Sequence, residues 1–311
     1  MKLVNKTHIE GLVYQHTLDK KVSGQNSKNP GTEFISGNLD IATDDAGINI
    51  VTVHFTYVTA TTSQGKENAT YKTLLDIISG KIGSVMADGA ENAGKVSIDS
   101  AIGLNEFYTD RSGKEELVSA KRNEGGFVHV VQAINEDEKT RNTFETDIVI
   151  TSVIHKEADE EKQLPEKAVV RGAIFDFRGS LLPVEFSVLN PHAIAYFEDL
   201  DASPKSPVFT RVKGRQISET VVKTITEEGA FGEPSIREVK NTRKDYVITW
   251  AAKEPYAWDD ESTMTAQQLI DAMSAREVHL AEVKKRSDDY KAQKDQPAGA
   301  FNAAGPMNYN F

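Results

Sequence analysis

Hydrophobic and polar residues alternate in short runs along most of the chain, up to about residue 253. The clearest run is residues 49–59, in which Val51, Val53 and Phe55 recur at every second position between polar residues. Such alternation is typical of a strand with one buried face. Further runs of this kind lie at residues 9–14, 33–43, 96–108, 126–134 and 144–154. The pattern therefore predicts a mainly β protein.

Two segments follow a helical period instead. In residues 69–80 the apolar residues recur at i, i+3, i+4 and i+7, from Tyr71 to Ile78, which is one face of a helix. Residues 191–200 are predicted to form a second short helix, because Asn190 is a favourable N-cap and a proline follows it in the first turn. Each predicted helix has strands before it and after it.

The second half of the chain repeats this order in a shorter form. Its strands are predicted at residues 168–177, 181–189, 208–217 and 244–251. Two passes of strands around one helix indicate a tandem duplication. We predict a first β-barrel-like domain at residues 1–160 and a second at residues 164–256, with the charged stretch 156–162 as a linker. Residues 20–31 are polar, basic and rich in turn formers, which predicts a mobile loop.

The end of the chain has a different character. Residues 265–291 show a helical pattern with only a thin apolar stripe, which predicts a charged helix at residues 262–295. Residues 296–311 contain too few apolar side chains to fold alone, which predicts a flexible tail.

Composition narrows the possible classes of protein. The chain has 311 residues and no cysteine, which excludes disulfides and thiolate metal sites. No apolar run approaches the ~18 residues of a membrane span, and the first residues lack the apolar core of a signal peptide. We therefore expect a cytoplasmic protein, in the host cytoplasm if it is viral, with no membrane partner.

The formal net charge of −11 argues against a nucleic-acid partner, but the charge is unevenly distributed. Residues 1–169 carry 18 Lys/Arg against 26 Asp/Glu, whereas residues 170–253 carry 12 against 11. Binding requires a local basic strip rather than a positive total, because salt screens charges beyond about 8–10 Å. The second half is therefore expected to bind an anion more readily than the first.

No motif for catalysis is present in the sequence. Residues 89–96 are similar to a phosphate-binding P-loop, but Val96 stands where a Ser or Thr is needed, and a helix precedes the loop. The seven histidines are scattered. His54 and His129 fall in predicted strands and can face a groove, although such a histidine is usually plain sheet surface. We predict no catalytic residue, no metal site and no cofactor, so the protein is not expected to be an enzyme.

The remaining possibility is a binding surface. Single-stranded nucleic acid requires aromatic rings that stack on bases and cations that contact phosphates. Residues 211–215 are the best cluster, because their three cations alternate and so project to one face of a strand. The predicted nucleic-acid-binding residues are Lys20, Lys21, Lys28, Phe55, Tyr57, Phe177, Arg178, Arg211, Lys213, Arg215 and Trp250, with Tyr14, Phe34, Phe175 and Phe209 as further aromatic candidates. Each of these residues also has a competing interpretation without a ligand. An aromatic residue in a barrel strand is usually part of the core, and alternating cations usually form a solvated face.

The order of these elements resembles the OB-fold single-stranded DNA-binding proteins, in which a five-stranded barrel carries a helix between its third and fourth strands. The helices at residues 69–79 and 191–200 each follow a strand in the corresponding place. The resemblance implies tandem OB-like β-barrels that bind single-stranded DNA. The charged helix and the tail ending in Phe311 are also similar to bacterial members, whose C-terminus recruits replication and repair enzymes. Here, however, residues 307–311 contain no acid.

We therefore predict a single-stranded DNA-binding protein that supports phage or mobile-element DNA replication or recombination. The phage setting follows from a composition that is acidic, rich in Thr and Asn and free of cysteine. Replication or recombination proteins, through the tail, and further copies of the chain are candidate partners. Two alternatives stay open: a virion structural or assembly β-barrel protein, and an enzyme whose site is assembled from residues far apart in sequence.

Overall fold

The computed structural model describes residues 3–25, 27–111, 113–159, 164–227, 235–258 and 264–294. Its strands are β1 (Asn5–His16), β2 (Asp19–Val22), β3 (Glu33–Ala42), β4 (Ile50–Thr59), β5 (Lys95–Thr109), β6 (Glu116–Val130), β7 (Asn142–Lys156), β8 (Lys167–Phe175), β9 (Leu181–Val188), β10 (Val208–Glu227) and β11 (Ser235–Ala251). Its α-helices are α1 (Ala69–Ile78), α2 (Val85–Asp88), α3 (Pro191–Asp199) and α4 (Ala266–Lys294), and a single 3₁₀ turn spans Glu138–Thr140.

Five strands of the first half close into a barrel. β1 pairs with β3, β3 with β4, β4 with β6, β6 with β5, and β5 returns to β1. Every pair is antiparallel except β4–β6, which is parallel at Val53–Asn123 and His54–Glu124. α1 lies between the third and fourth strands of this first barrel, and β2 extends its sheet beyond β3.

The second barrel has the same order of strands. β7 pairs with β8, β8 with β9, β9 with β11, β11 with β10, and β10 returns to β7. Its parallel pair is β9–β11, at Ser187 and Val247, and α3 lies between its third and fourth strands. A five-stranded barrel with a helix in that place is an OB-fold. The predicted fold class, mainly β with tandem OB-like barrels and a C-terminal helix, is confirmed.

The boundary between the barrels differs from the predicted one. Residues 144–154, predicted to close the first half, belong to β7, which opens the second barrel. Alternation identifies a strand but not its partners, which are set by contacts distant in sequence. The predicted linker at residues 156–162 therefore does not separate the barrels, since its described residues, 156–159, are the end of β7 and the start of the connection that follows it. In that connection Asp159 and Leu164 exchange two backbone hydrogen bonds of 2.9 Å, and residues 160–163 lie outside the described part.

The two barrels share one continuous sheet. β1 pairs with β7 as well as with β5, from Asn5–Thr146 to Ile9–Asn142. The ladder between β7 and β10 ends at Arg215. Beyond that residue, β10 is hydrogen-bonded to a side chain of the first barrel. The Asn49 amide donates to the Gln216 carbonyl at 3.2 Å and accepts from the Ser218 N–H at 2.5 Å. The start of β4 is thereby fixed against β10.

The alternation of the strands fills each barrel with apolar side chains. Leu39, Val53 and Phe55 are fully buried in the first barrel, and Val170 and Phe186 in the second. The helices complete these cores: Leu74 and Ile77 of α1 pack into the first, and Ile194 and Phe197 of α3 pack into the second.

The N-cap predicted for the second helix is present, and the first helix is capped by the same kind of residue. The side chain of Asn190 accepts from the N–H groups of His192 and Ala193 and so caps α3, with Pro191 in the first turn. Asn68 caps α1 in the same way by accepting from Thr70. Both caps satisfy N–H groups that a helix leaves unpaired at its start.

Several segments are longer or more ordered than the sequence pattern predicts. The β5–β6 and β10–β11 hairpins extend well beyond the predicted strands, and the predicted loop at residues 20–31 contains most of β2. The predicted C-terminal helix is α4. The predicted flexible tail, residues 296–311, lies outside the described residues.

Candidate nucleic-acid interface

β3 and β4 carry the outer surface on which a ligand can lie. Their inner residues form the core of the first barrel, and the alternate residues point outward. The outward residues are half-buried or exposed and are mostly polar or aromatic: Phe34, Asn38, Asp40, Thr52, His54, Thr56 and Tyr57. We call this surface the first-barrel face.

At one end of the first-barrel face, Phe34 and Tyr57 form an aromatic pair with ring centroids 4.5 Å apart. A β-bulge accompanies the pair, because the register of β3 against β4 shifts between Ile35 and Gly37. The extra residue lies in β4, between Phe55 and Val58. Gly37, opposite Phe55, has a φ of 134°, and a Cβ there would lie 2.3 Å from the Thr17 carbonyl oxygen, so this position requires glycine. Tyr57 remains 38% exposed, which leaves part of its ring available for stacking.

Lysines of β2 lie beside this aromatic pair. Lys21 is directly opposite Phe34 in the β2–β3 register, so the two side chains share one face. Lys20 forms an ion pair with Glu33 at 2.8 Å, and the hydrogen bond to that carboxylate raises the pKa of Lys20. Lys21 is therefore the cation better placed to reach a phosphate next to a stacked base. Lys28 is exposed in the following loop.

His54 lies further along the same face. Its Nδ1 is 2.7 Å from the Oδ1 of Asn38, which acts as acceptor, so Nδ1 carries the hydrogen. On the neighbouring β6, Arg122 is paired with Glu124 at 2.5 Å. Burial and the nearby charges of Arg122 and Lys21 lower the pKa of His54, and Glu124 opposes them. The imidazole is therefore neutral at pH 7.

The corresponding outer face of the second barrel is partly covered by the chain itself. Phe175 at the end of β8 and Leu181 at the start of β9 are buried there. They pack against Met264, which precedes α4, and Leu269, in the first turn of α4. Trp258 packs in the same cluster. The two equivalent faces thus differ: among the residues that the structure describes, aromatic side chains that remain partly exposed lie on the face of the first barrel and not on that of the second.

A row of four side chains crosses the shared sheet on strands β1, β7, β10 and β11. Lys6 is opposite Glu145, Glu145 is opposite Lys213, and Lys213 is opposite Trp250. The Lys6 ammonium is 3.1 Å from the Glu145 carboxylate, and the Lys213 ammonium lies 5.0 Å from the centre of the Trp250 ring. Trp250 is 47% exposed. Lys213 and Trp250 therefore form a second cation–aromatic pair at the surface.

The predicted alternation of Arg211, Lys213 and Arg215 is present, because the intervening Val212 is fully buried. Arg211, however, is held by a buried carboxylate: its Nε donates to Asp147 at 2.7 Å, and this hydrogen bond raises the pKa of Arg211. Arg215 donates to the Glu138 carbonyl at 3.3 Å. Both arginines thus hold elements of the protein together, and Lys213 is the member of the cluster better placed to meet a ligand.

Several other predicted residues occupy different environments. The prediction that Phe55 stacks on a base is wrong, because its ring is fully buried in the first core. Phe175 and Phe209 are buried as well, and Tyr14 is half-buried. Phe177 lies in the β8–β9 turn and is 90% exposed, with the Arg178 guanidinium 5.0 Å from its ring centre.

Two residues of the first-barrel face and its rim carry no recognisable signal in the sequence. Asn38 is an ordinary polar residue in a predicted strand, and only the fold brings its amide to His54. Arg122 reaches the same place through the parallel pairing of β6 with β4, which joins segments about 70 residues apart. His54 could be identified only as a histidine in a strand.

The described residues contain no group of three or more His, Asp or Glu side chains arranged to hold a metal ion. Within the same part of the chain, no helix combines the length and the apolar character that a membrane span requires.

Strand order and surface together define a tandem OB-fold protein with one aromatic, partly open barrel face. The YorF family model matches residues 3–286, and the chain belongs to that family. No curated protein matches the sequence. Among solved structures, a deletion mutant of the single-stranded DNA binding protein from Thermus aquaticus aligns with a TM-score of 0.44 and 11% identity, over 84% of this chain and 98% of that chain. The OB-fold assignment rests on the strand pairing of the two barrels.

Proposed function

We propose that this protein binds single-stranded DNA through the first-barrel face and has no catalytic activity of its own. The observation that carries the proposal is the Phe34–Tyr57 pair with Lys21 directly opposite Phe34. A partly exposed aromatic pair offers a surface for bases, and the adjacent lysine offers a contact for phosphate. Strands two and three of an OB barrel are also where such barrels commonly bind oligonucleotides.

The second barrel contributes a smaller contact in this proposal. Lys213 and Trp250 supply one cation and one ring on the outer side of β10 and β11. Phe177 and Arg178 supply another exposed pair in the β8–β9 turn. Each pair offers one ring, and the Lys213 ammonium is also 3.7 Å from the Glu145 carboxylate, so we expect the first-barrel face to contribute most of the affinity.

The charges predict binding of moderate strength. Lys20 and Arg122 are already paired with Glu33 and Glu124, so few cations can displace counterions from a nucleic acid. We therefore expect an affinity that falls with salt, but with a shallow slope. Stacking is expected to supply the larger share of the binding free energy.

We place this activity in the replication or recombination of phage or mobile-element DNA, in the cytoplasm of the host. The acidic composition without cysteine supports that setting. Replication and recombination proteins are the partners we propose for the C-terminal tail.

A fluorescence-anisotropy titration with labelled oligo-dT, at about 50 and about 200 mM salt, tests the proposal. We expect saturable binding at the lower salt concentration and weaker binding at the higher one. A matched duplex should bind less well, because its bases are not available for stacking. Absence of binding to the single strand at low salt would overturn the proposal and favour the virion structural protein instead.

A further inference from the structure

α4 spans both barrels and is attached differently to each. At its first turns, Leu269 and Ala272 pack with the preceding Met264 against the apolar cluster of the second barrel that contains Phe175 and Phe209. Further along, the helix lies on the β5–β6 hairpin of the first barrel. There Val283 is buried, but the remaining described contacts are largely ionic.

The inward side of α4 carries cations. Arg276 forms two hydrogen bonds to Glu106, one of them 2.6 Å long, and both side chains are almost completely buried. Burial raises the pKa of Glu106, but the hydrogen bonds and charge of Arg276 outweigh it, so the pKa is lowered overall. Lys284 and Lys291 both contact Glu115, the second at 2.8 Å.

The outward side of α4 carries large aliphatic side chains. Val278 is 62% exposed there, and Ile270, on the flank of this side, is 55% exposed. An ordinary surface helix turns its apolar stripe to the core and its charges to water. α4 buries Arg276, directs Lys284 and Lys291 to the hairpin and exposes Val278 and Ile270, and that reversal is explained if a further surface covers the outward side.

We propose that this outward side is a dimer contact, in which α4 packs antiparallel against α4 of a second copy. Asp271, Val278 and Lys285 are seven residues apart and therefore lie in one row along the helix. In an antiparallel pair centred on Val278, each Asp271 meets Lys285 of the other copy, and the two Val278 side chains meet at the two-fold axis.

The same row excludes the parallel arrangement. In a parallel pair Asp271 would meet Asp271 and Lys285 would meet Lys285, and like charges in contact destabilise a helix pair. The exposed residues between them, Ser274 and Ala281, are small enough to let two helices approach closely. Sequence and exposure thus select one partner, a second copy, and one orientation.

The dimer should be weak and dependent on concentration. α4 has 29 residues and is therefore roughly 44 Å long, so a single helix pair buries less than a standard interface. Sedimentation velocity on the full chain, from about 1 to about 200 µM, is expected to show a monomer–dimer equilibrium. Val278→Glu should leave a monomer throughout, whereas Phe127→Glu, at an apolar residue 70% exposed on β6, should not change the equilibrium.

Exchange of the paired charges tests the orientation. Asp271→Lys alone and Lys285→Asp alone should each weaken the dimer at least tenfold, and the double variant should restore it. These residues lie on the solvent side, so circular dichroism should show an unchanged fold. A wild-type chain that stays monomeric across the range, or a Val278→Glu chain that dimerises normally, would overturn the proposal. Failure of the double variant to recover would overturn the antiparallel register.

Discussion

The side-chain amides of Asn123 and Gln216 exchange two hydrogen bonds across the junction of the barrels. The Nδ2 of Asn123 donates to the Oε1 of Gln216 at 2.8 Å, and the Nε2 of Gln216 donates back at 2.9 Å. Asn123 also donates to the Thr52 carbonyl. Both amides are buried, so every one of these bonds forms away from water. The pair therefore holds β6 of the first barrel to β10 of the second.

Removal of both amides should destabilise the protein by less than the two single removals added together. Asn123→Leu alone leaves buried groups of Gln216 without a partner, which costs about 1–3 kcal/mol. The double replacement Asn123→Leu with Gln216→Leu removes both polar groups and should cost less than the sum of the two single leucine variants. Urea unfolding at one pH measures the four free energies of the cycle. Strictly additive values would show that the two amides do not act as a pair.

Loss of the aromatic pair should weaken binding of single-stranded DNA. Phe34→Ala and Tyr57→Ala each remove a surface on which a base can stack, and such losses cost about 1–3 kcal/mol per base. The affinity for oligo-dT should fall accordingly, with the salt slope unchanged. Phe127→Ala is the matched control, because Phe127 is an exposed aromatic residue outside the first-barrel face. Equal losses for Phe127→Ala and Phe34→Ala would remove the face from the binding site.

The contrast between Phe34 and Phe55 shows how far the sequence can locate such a site. Both rings stand in predicted strands, and alternation within a strand cannot tell which side is the inside. The fold decides, because Phe34 lies on the outer side of β3, and the bulge in β4 between Phe55 and Val58 turns Tyr57 to the surface while Phe55 points into the core. The sequence thus supplies the residue types and the strand, but not the side of the strand.

The partners of a charged residue are equally hidden in the sequence. Arg211 was predictable as one of three cations on one face of β10, and that arrangement is present. Its hydrogen bond to Asp147 joins residues 64 positions apart and depends on the β7–β10 ladder. The order of strands and helices could be predicted because it is a local pattern. The pairing of β7 depends on contacts between residues far apart in the chain. The hydrogen bond from Arg211 to Asp147 depends on that pairing and is therefore hidden in the sequence.

Binding of single-stranded DNA should become tighter as the pH falls through the range in which His54 takes up a proton. Burial, Arg122 and Lys21 lower the pKa of His54, so the imidazole is neutral in the free protein at pH 7 and gains charge only below about pH 6.5. A phosphate next to it favours the charged form, and binding is therefore coupled to proton uptake.

Titrations of oligo-dT between pH 7.5 and pH 5.5, run in parallel on wild type and His54→Gln, measure this coupling. The wild type should gain affinity toward the acid end, and the variant should gain much less. His129→Gln serves as the control, since His129 is an exposed histidine outside the first-barrel face. The same depressed pKa makes the folded state less stable as the pH falls below about 6.5, because the unfolded chain binds the proton more tightly. A His54→Gln chain with the wild-type pH profile would exclude His54 from the site.

Lys121 should make the stability of the protein depend on pH above neutrality. Burial lowers the pKa of its amine to about 8, and the ammonium lies 5.1 Å and 4.9 Å from the ring centres of Phe186 and Tyr246. Because the folded pKa is below the unfolded value of 10.5, the unfolded chain holds more protons between these values, and the free energy of unfolding rises with pH across that window. Across the whole window the free energy of unfolding changes by about 3 kcal/mol.

Lys121→Met has no such group, so it should be more stable than wild type at pH 7, and its advantage should shrink toward pH 10. Urea unfolding at pH 7, 8.5 and 9.5 follows the difference, with Lys72→Met, at an exposed lysine of α1, as the control. A constant difference between Lys121→Met and wild type would mean that the pKa of Lys121 is the same in the folded and the unfolded chain.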